Sequence, residues 1–194
     1  MNKLIPGDLL TLEAYAKARP EYRQRMIAHK KNRTVALGDH ITLLFEDELT
    51  VRYQVQEMLR IEKIFEEAGI RDELDAYNPL IPDGSNWKAT LLIEYPDVEE
   101  RRVMLAQLKG IEDRIWVQAD GCARVFAIAD EDLERENDEK TSSVHFVRFE
   151  LDSAMKKALS AGAGLSLGVD HPAYAVRLDA GSAVRGALLK DLDS

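Results

Sequence analysis

The chain has 194 residues, 45% hydrophobic and 31% charged, with a net charge of −9 and one cysteine. A chain this long buries roughly two-thirds of its unfolded surface, so one domain can stand on its own core without covalent or metal staples. One thiol excludes an internal disulfide and an iron–sulfur cluster built from this chain alone. The acidity argues against a general nucleic-acid binder, which needs basic surface to meet phosphate.

No apolar run approaches the roughly 20 residues of a membrane-spanning helix. The opening Met1–Asp8 also lacks the apolar centre of a signal peptide. With a lone thiol, Cys122, that fits a reducing compartment, the expected location is the cytoplasm. Charge is unevenly placed: residues 1–33 hold eight Lys or Arg against three Asp or Glu, net +5, which leaves −14 for the rest. Cations in the last turn of a solvated helix account for this through the helix dipole. Anion or RNA binding through residues 17–33 is the sharper reading, ranked last because of the overall acidity.

Asp8 reads as an N-cap, and Leu9, Leu10, Leu12 and Tyr15 as the buried stripe of a short helix. Pro20 is expected to break that helix and to open a second one running to about Asn32, so the helical part spans about 8–33. Thr34–Leu37 and His40–Phe45 are two strand-like runs about a Gly38-Asp39 turn. Val51, Val55, Met58, Ile61 and Phe65 keep helical spacing, which predicts a helix over about 48–68 ended by Gly69, with a second piece from Ile70 to Tyr77. Trp87–Tyr95 predicts a strand, and a helix to Lys109 follows with Gly110 as its cap. Arg114–Ala119 and Cys122–Ile128 predict a hairpin on a tight Asp120-Gly121 turn. Residues 130–140 carry seven acidic and two basic side chains and read as an exposed or disordered loop. A strand over 143–151, a helix over about 152–160, strands near 165–170 and 173–178 and a helix over 182–192 complete the chain. Most strand-to-strand links are too short for helical crossovers. The expected class is therefore a single α+β domain over 1–194, a mostly antiparallel sheet with helices packed on one side.

Gly164-Leu165-Ser166-Leu167-Gly168 matches the nucleophile-elbow pattern, but the serine of that motif needs a strand before it and a helix after it. Here Leu165, Leu167 and Val169 alternate straight through, so the match reads as a strand. No dinucleotide fingerprint, phosphate loop, paired C-x-x-C or di-iron E-x-x-H pattern is present. Asp39-His40 and Asp170-His171 each place an oxygen and an imidazole on a turn. Together with Glu57 they make a candidate metal set, Asp39, His40, Glu57 and His171. Turn caps and histidines bonded to backbone are the plainer explanation, because no ligand pair has a fixed local spacing. Gln54 and Glu62 fall inside the apolar stripe of the long helix, where a carboxylate needs a partner. Glu57, Arg60, Glu62, Tyr77 and Asn78 form the candidate ligand-binding group, with an internal ion-pair network as the competing explanation.

Val35–Glu46, Gln54–Arg60, Glu73–Pro82 and Asp170–Tyr174 together resemble a bacterial family known only as a domain of unknown function, and the similarity runs over nearly the whole chain. The resemblance carries no catalytic residues with it. It implies a context beside rubrerythrin-like proteins and iron–sulfur oxidoreductases, which would then carry any redox cofactor. The expected function is a non-catalytic accessory or interaction protein of a cytoplasmic redox or oxidative-stress system, with self-association left open. The alternative is a metal- or small-ligand-binding enzyme built from the two Asp-His turns and the long helix.

Overall fold

The computed structural model describes residues 3–129 and 140–193; the acidic segment expected as a loop lies, apart from Lys140, outside them. Alternating apolar residues form eight strands: β1 (Thr34–Leu37), β2 (Ile41–Phe45), β3 (Asn86–Ile93), β4 (Ile115–Ala119), β5 (Val125–Phe126), β6 (Val144–Glu150), β7 (Leu165–His171) and β8 (Tyr174–Asp179). Every strand pair is antiparallel, and the strands divide between two sheets, ordered β1-β2-β3-β6 and β5-β4-β7-β8. The architecture is α+β.

Register decides which side chains share a face, because cross-strand partners point the same way. In the first sheet Leu43 lies opposite Val35 and Leu91, and Trp87 lies opposite Phe149. These residues share one continuous core with Ile115, Val117, Leu165, Leu167 and Val169 of the second sheet. One edge of the pair is joined by a bridge between Ile128 and Arg148. At the other edge the Tyr174 hydroxyl of β8 donates to the Leu37 carbonyl at 2.7 Å. A Cβ on Gly38, whose φ is +74°, would stand 2.5 Å from that hydroxyl oxygen, so this turn needs glycine for space and for backbone. The helices α4 (Val98–Gln107), α5 (Ser153–Ser160) and α6 (Ser182–Leu188) insert Leu105, Met155, Leu159 and Leu188 into the same core.

The remaining helices, α1 (Leu12–Lys31), α2 (Glu48–Glu62) and α3 (Glu67–Tyr77), belong to a separate layer. Its own small core comprises Leu4, Val51, Val55, Leu59, Leu74 and Ile81. Several boundaries differ from expectation. The first helix starts at Leu12 with Thr11, not Asp8, as its N-cap, the Thr11 hydroxyl accepting from the Ala14 amide at 3.3 Å. Pro20 does not break the first helix, which is continuous from Leu12 to Lys31. Pro20 is exposed, where water can reach the carbonyl it leaves unpaired. Contacts with α2 hold the helix on both sides of it: Tyr15 and Arg19 bond Glu57, and Tyr22 stacks on Tyr53 at 6.3 Å. The second helix ends at Glu62, not near Gly69, because Lys63 takes the left-handed conformation with φ +57° and caps it. Gly69 lies inside α3, where its missing side chain makes room for Ile64. Between β4 and β5 the expected Asp120-Gly121 turn forms, the Cys122 amide donating to the Ala119 carbonyl at 3.0 Å, but strand pairing resumes only at Val125, and Asp120 accepts from the Gly164 amide at 3.1 Å.

Candidate functional site

Alternate residues of the first sheet face away from the shared core. Across the strands they form two rows, Leu44–Thr90–Phe146 and Thr42–Leu92–Val144. A bare apolar face of this size needs a cover, and the helical layer supplies only part of one. Between them lies a cavity of about 280 Å³, floored by Leu44, Leu92, Val144 and Phe146 and roofed by Thr50, Val51 and Gln54 of α2 with Tyr77 and Leu80. Small-ligand sites are concave and mostly apolar with a few fixed polar groups, and they favour seams between structural layers.

The polar end of this cavity is Glu46, in the turn between β2 and α2. Its main chain is held from both sides, the amide donating to the Lys88 carbonyl at 2.8 Å and the carbonyl accepting from Arg33 at 3.1 Å. The residue is only 8% exposed, and its carboxylate accepts from the Thr90 hydroxyl at 2.7 Å. Among the described residues no cation stands within ion-pair distance of it. Lys30 also lines the cavity, but its ammonium lies over the Tyr53 ring, 5.9 Å from the centroid.

Behind Glu46 sits a buried ionic cluster. Arg33, 2% exposed, donates to the carbonyls of Phe45, Glu46 and Ala187 and to the carboxylate of Asp191. Asp47 accepts from Thr50, capping α2, and meets His29 Nε2 at 2.6 Å and Arg33 at 3.4 Å. Burial pushes the Asp191 carboxyl up to about 6, and the neighbouring guanidinium offsets this only in part. The cluster joins the end of α1, the start of α2 and the C-terminal turn against the back of the cavity wall.

The expected ligand group is dispersed. Tyr77 lines the cavity, whereas Glu57 and Arg60 face α1. There Arg19 binds both Glu57 oxygens at 2.7 and 2.9 Å, which together with the Tyr15 and Arg60 bonds holds the Glu57 carboxyl down at about 2. Asn78 is buried and reads the Leu4 backbone, accepting from its amide at 2.8 Å and donating to its carbonyl at 3.0 Å. Gln56 makes the same paired contact with Leu10 at 2.6 and 3.2 Å. Glu62 and Gln54 are exposed, not set in the buried stripe, and Ile61 and Phe65 are exposed too. The helix turns Val51, Val55, Gln56 and Leu59 inward instead.

Nor is the expected metal set assembled. Among the described residues no three His, Cys, Asp or Glu side chains are placed to hold an ion. The two Asp-His turns do approach one another, but Tyr174 joins them, accepting from the His40 amide at 3.3 Å. Each imidazole is used locally. His40 donates to the Glu94 carbonyl at 3.0 Å and stacks on Tyr95, and His171 donates to the Lys109 carbonyl at 3.1 Å. Glu57 is committed to Arg19. Ser166 lies within β7, its hydroxyl bonded to Asp179 at 2.7 Å, so the elbow-like motif is strand, as expected. Glu46, Thr90 and Lys30 carry no local motif and were not singled out by sequence. The signal available was apolar residues on both faces of β2 and β3, which marks a sheet covered on both sides.

The family described as "Protein of unknown function (DUF3501)" matches residues 3–192. The chain belongs to this family. It is also similar to a structure titled as a novel protein of unknown function from Burkholderia pseudomallei K96243. That protein is 58% identical, with a TM-score of 0.94, over 99% of this chain and 100% of the other. No curated protein matches. The two chains therefore share one fold over their full described length. Among the described residues no helix is long and apolar enough to cross a membrane.

Proposed function

We propose that this DUF3501 protein is a non-catalytic accessory protein that holds a small amphipathic molecule in the cavity between the first sheet and the helical layer. Its setting would be a cytoplasmic redox or oxidative-stress system, beside rubrerythrin-like or iron–sulfur oxidoreductase partners. The observation that carries the reading is the cavity itself: an apolar floor of Leu44, Leu92, Val144 and Phe146, with a fixed buried carboxylate at one end. The enzyme alternative, built on Asp39, His40, Glu57 and His171, draws no support from the contacts of His40 and His171 with backbone and of Glu57 with Arg19.

Protein purified from native cells, denatured and extracted should release a small molecule near one equivalent by mass spectrometry. A Leu92→Trp variant, which fills the floor, should fold normally and release none. Equal recovery from both proteins, or from neither, would count against the cavity as the site. Pull-down from the same cells should enrich a redox protein, and enrichment of none would remove the accessory role.

A further inference from the structure

We infer that the ligand of this cavity is a protonated amine with a compact apolar body, anchored by a charge-assisted hydrogen bond to Glu46. The inference rests on the cavity reading above and names its chemical class. Glu46 is a buried residue, 8% exposed, and among the described residues its carboxylate meets only the neutral Thr90 hydroxyl, whereas Glu57 is paired with Arg19 and Arg60 and Asp191 with Arg33. Among the described residues Glu46 departs from that pattern although Arg33 lies beside it, because the guanidinium is turned to the Glu46 carbonyl and to Asp191.

The acid is also held ready. Its backbone is fixed at both ends and Thr90 occupies one carboxylate oxygen, so a bound donor meets an oriented acceptor. The nearest wall beyond it is apolar, from Leu44 through Leu92 to Phe146, which fits a hydrocarbon body and no second charge. Lys30 does not argue for an anionic ligand: it is half-buried, and its ammonium rests over Tyr53. Ammonium–carboxylate contact excluded from water is among the stronger hydrogen bonds available to a small ligand.

Isothermal titration of the full chain with benzylamine, benzyl alcohol and benzoate, three probes of nearly one shape, separates the possibilities. Benzylamine should bind at least tenfold more tightly than the other two. Glu46→Gln should erase that preference while leaving benzyl alcohol binding intact, and Lys30→Met, which takes a cation out of the lining, should not weaken benzylamine binding. Tighter binding of benzoate, abolished by Lys30→Met, or equal binding of all three would overturn the amine assignment and leave the cavity reading standing. Binding of none would overturn both. Should Glu46→Gln fail to fold, Thr90→Val supplies the check. With Glu46 less well held, benzylamine affinity should fall several-fold and that of benzyl alcohol should not; an unchanged preference in that variant also overturns the assignment.

Discussion

Among the described residues, twenty-six buried apolar side chains make one continuous core between the two sheets, whereas the helical layer has a core of six. The difference changes what holds each region. The two-sheet part rests on apolar burial, at roughly 25 cal/mol per Å² removed from water. The helical layer has too little apolar area for that, and specific polar contacts take over: Gln56 and Asn78 grip the N-terminal backbone, Glu57 gathers Tyr15, Arg19 and Arg60, and Arg33 anchors the C-terminal turn. Apolar packing tolerates small shifts, but hydrogen-bonded pairs do not. A thin, polar-pinned roof over an apolar floor leaves room between them, and the cavity lies in that seam.

The largest effect should come from breaking the charged anchor. Arg33→Met leaves Asp191 buried without its cation and strips a donor from three carbonyls. Removal of one partner of a buried pair typically costs about 3–5 kcal/mol. Urea unfolding should show a loss of that size, and adding Asp191→Leu should recover part of it, since the stranded charge goes too. A loss under about 1 kcal/mol for Arg33→Met would mean that the helical layer does not depend on this anchor.

Next in size is a pH effect whose sign differs between two acids. Asp191 has its carboxyl raised from 3.8 to about 6, so between those values the folded state holds more proton than the unfolded state. Its contribution is full below pH 3.8 and is lost as pH rises through about 6, at most about 3 kcal/mol. Glu57 is lowered from 4.5 to about 2, chiefly by Arg19, and acts oppositely: its contribution is present above 4.5 and fades as pH falls toward 2. Thermal melts from pH 3 to 8 should therefore lose the decline between pH 4 and 6 in Asp191→Asn, and lose the acid-side fall in Glu57→Gln. A decline that persists unchanged in Asp191→Asn would assign it to another group.

The two regions also differed in how readily they could be read from sequence. Strands β2, β3, β6 and β7 were legible because a period of two repeats over five to eight residues. The helical layer was less legible. Of the expected stripe Val51, Val55, Met58, Ile61 and Phe65, the first two are buried with Leu59, while Ile61 and Phe65 are exposed; where α2 meets α3 and the N-terminal segment decides this, and no local period encodes those contacts. Gln56 drew no notice in the sequence because its partner is the backbone of Leu10, and backbone partners leave no trace in residue type. Glu46 carries no motif of its own, and its burial comes only with the packing of α2, Tyr77 and Leu80 over the first sheet. Site residues fixed by long-range cover are the ones a single sequence hides.

The smallest predicted effect bears most directly on the contrast between regions. In Gln56→Ala the Leu10 amide and carbonyl lose the side chain that pairs with both, as a strand would. An unsatisfied buried polar group costs about 1–3 kcal/mol, and Leu10 is 40% exposed, so water replaces part of the loss and the low end of that range is expected. The readout that separates this from general destabilisation is amide hydrogen exchange. Protection should fall over residues 4–12, while β3 and β7 exchange as before, because the two-sheet core makes none of these contacts. If β3 and β7 lose protection to the same degree, the helical layer and the sheets open as one unit. The seam between them would then be rigid, and entry of a ligand would require the whole fold to breathe.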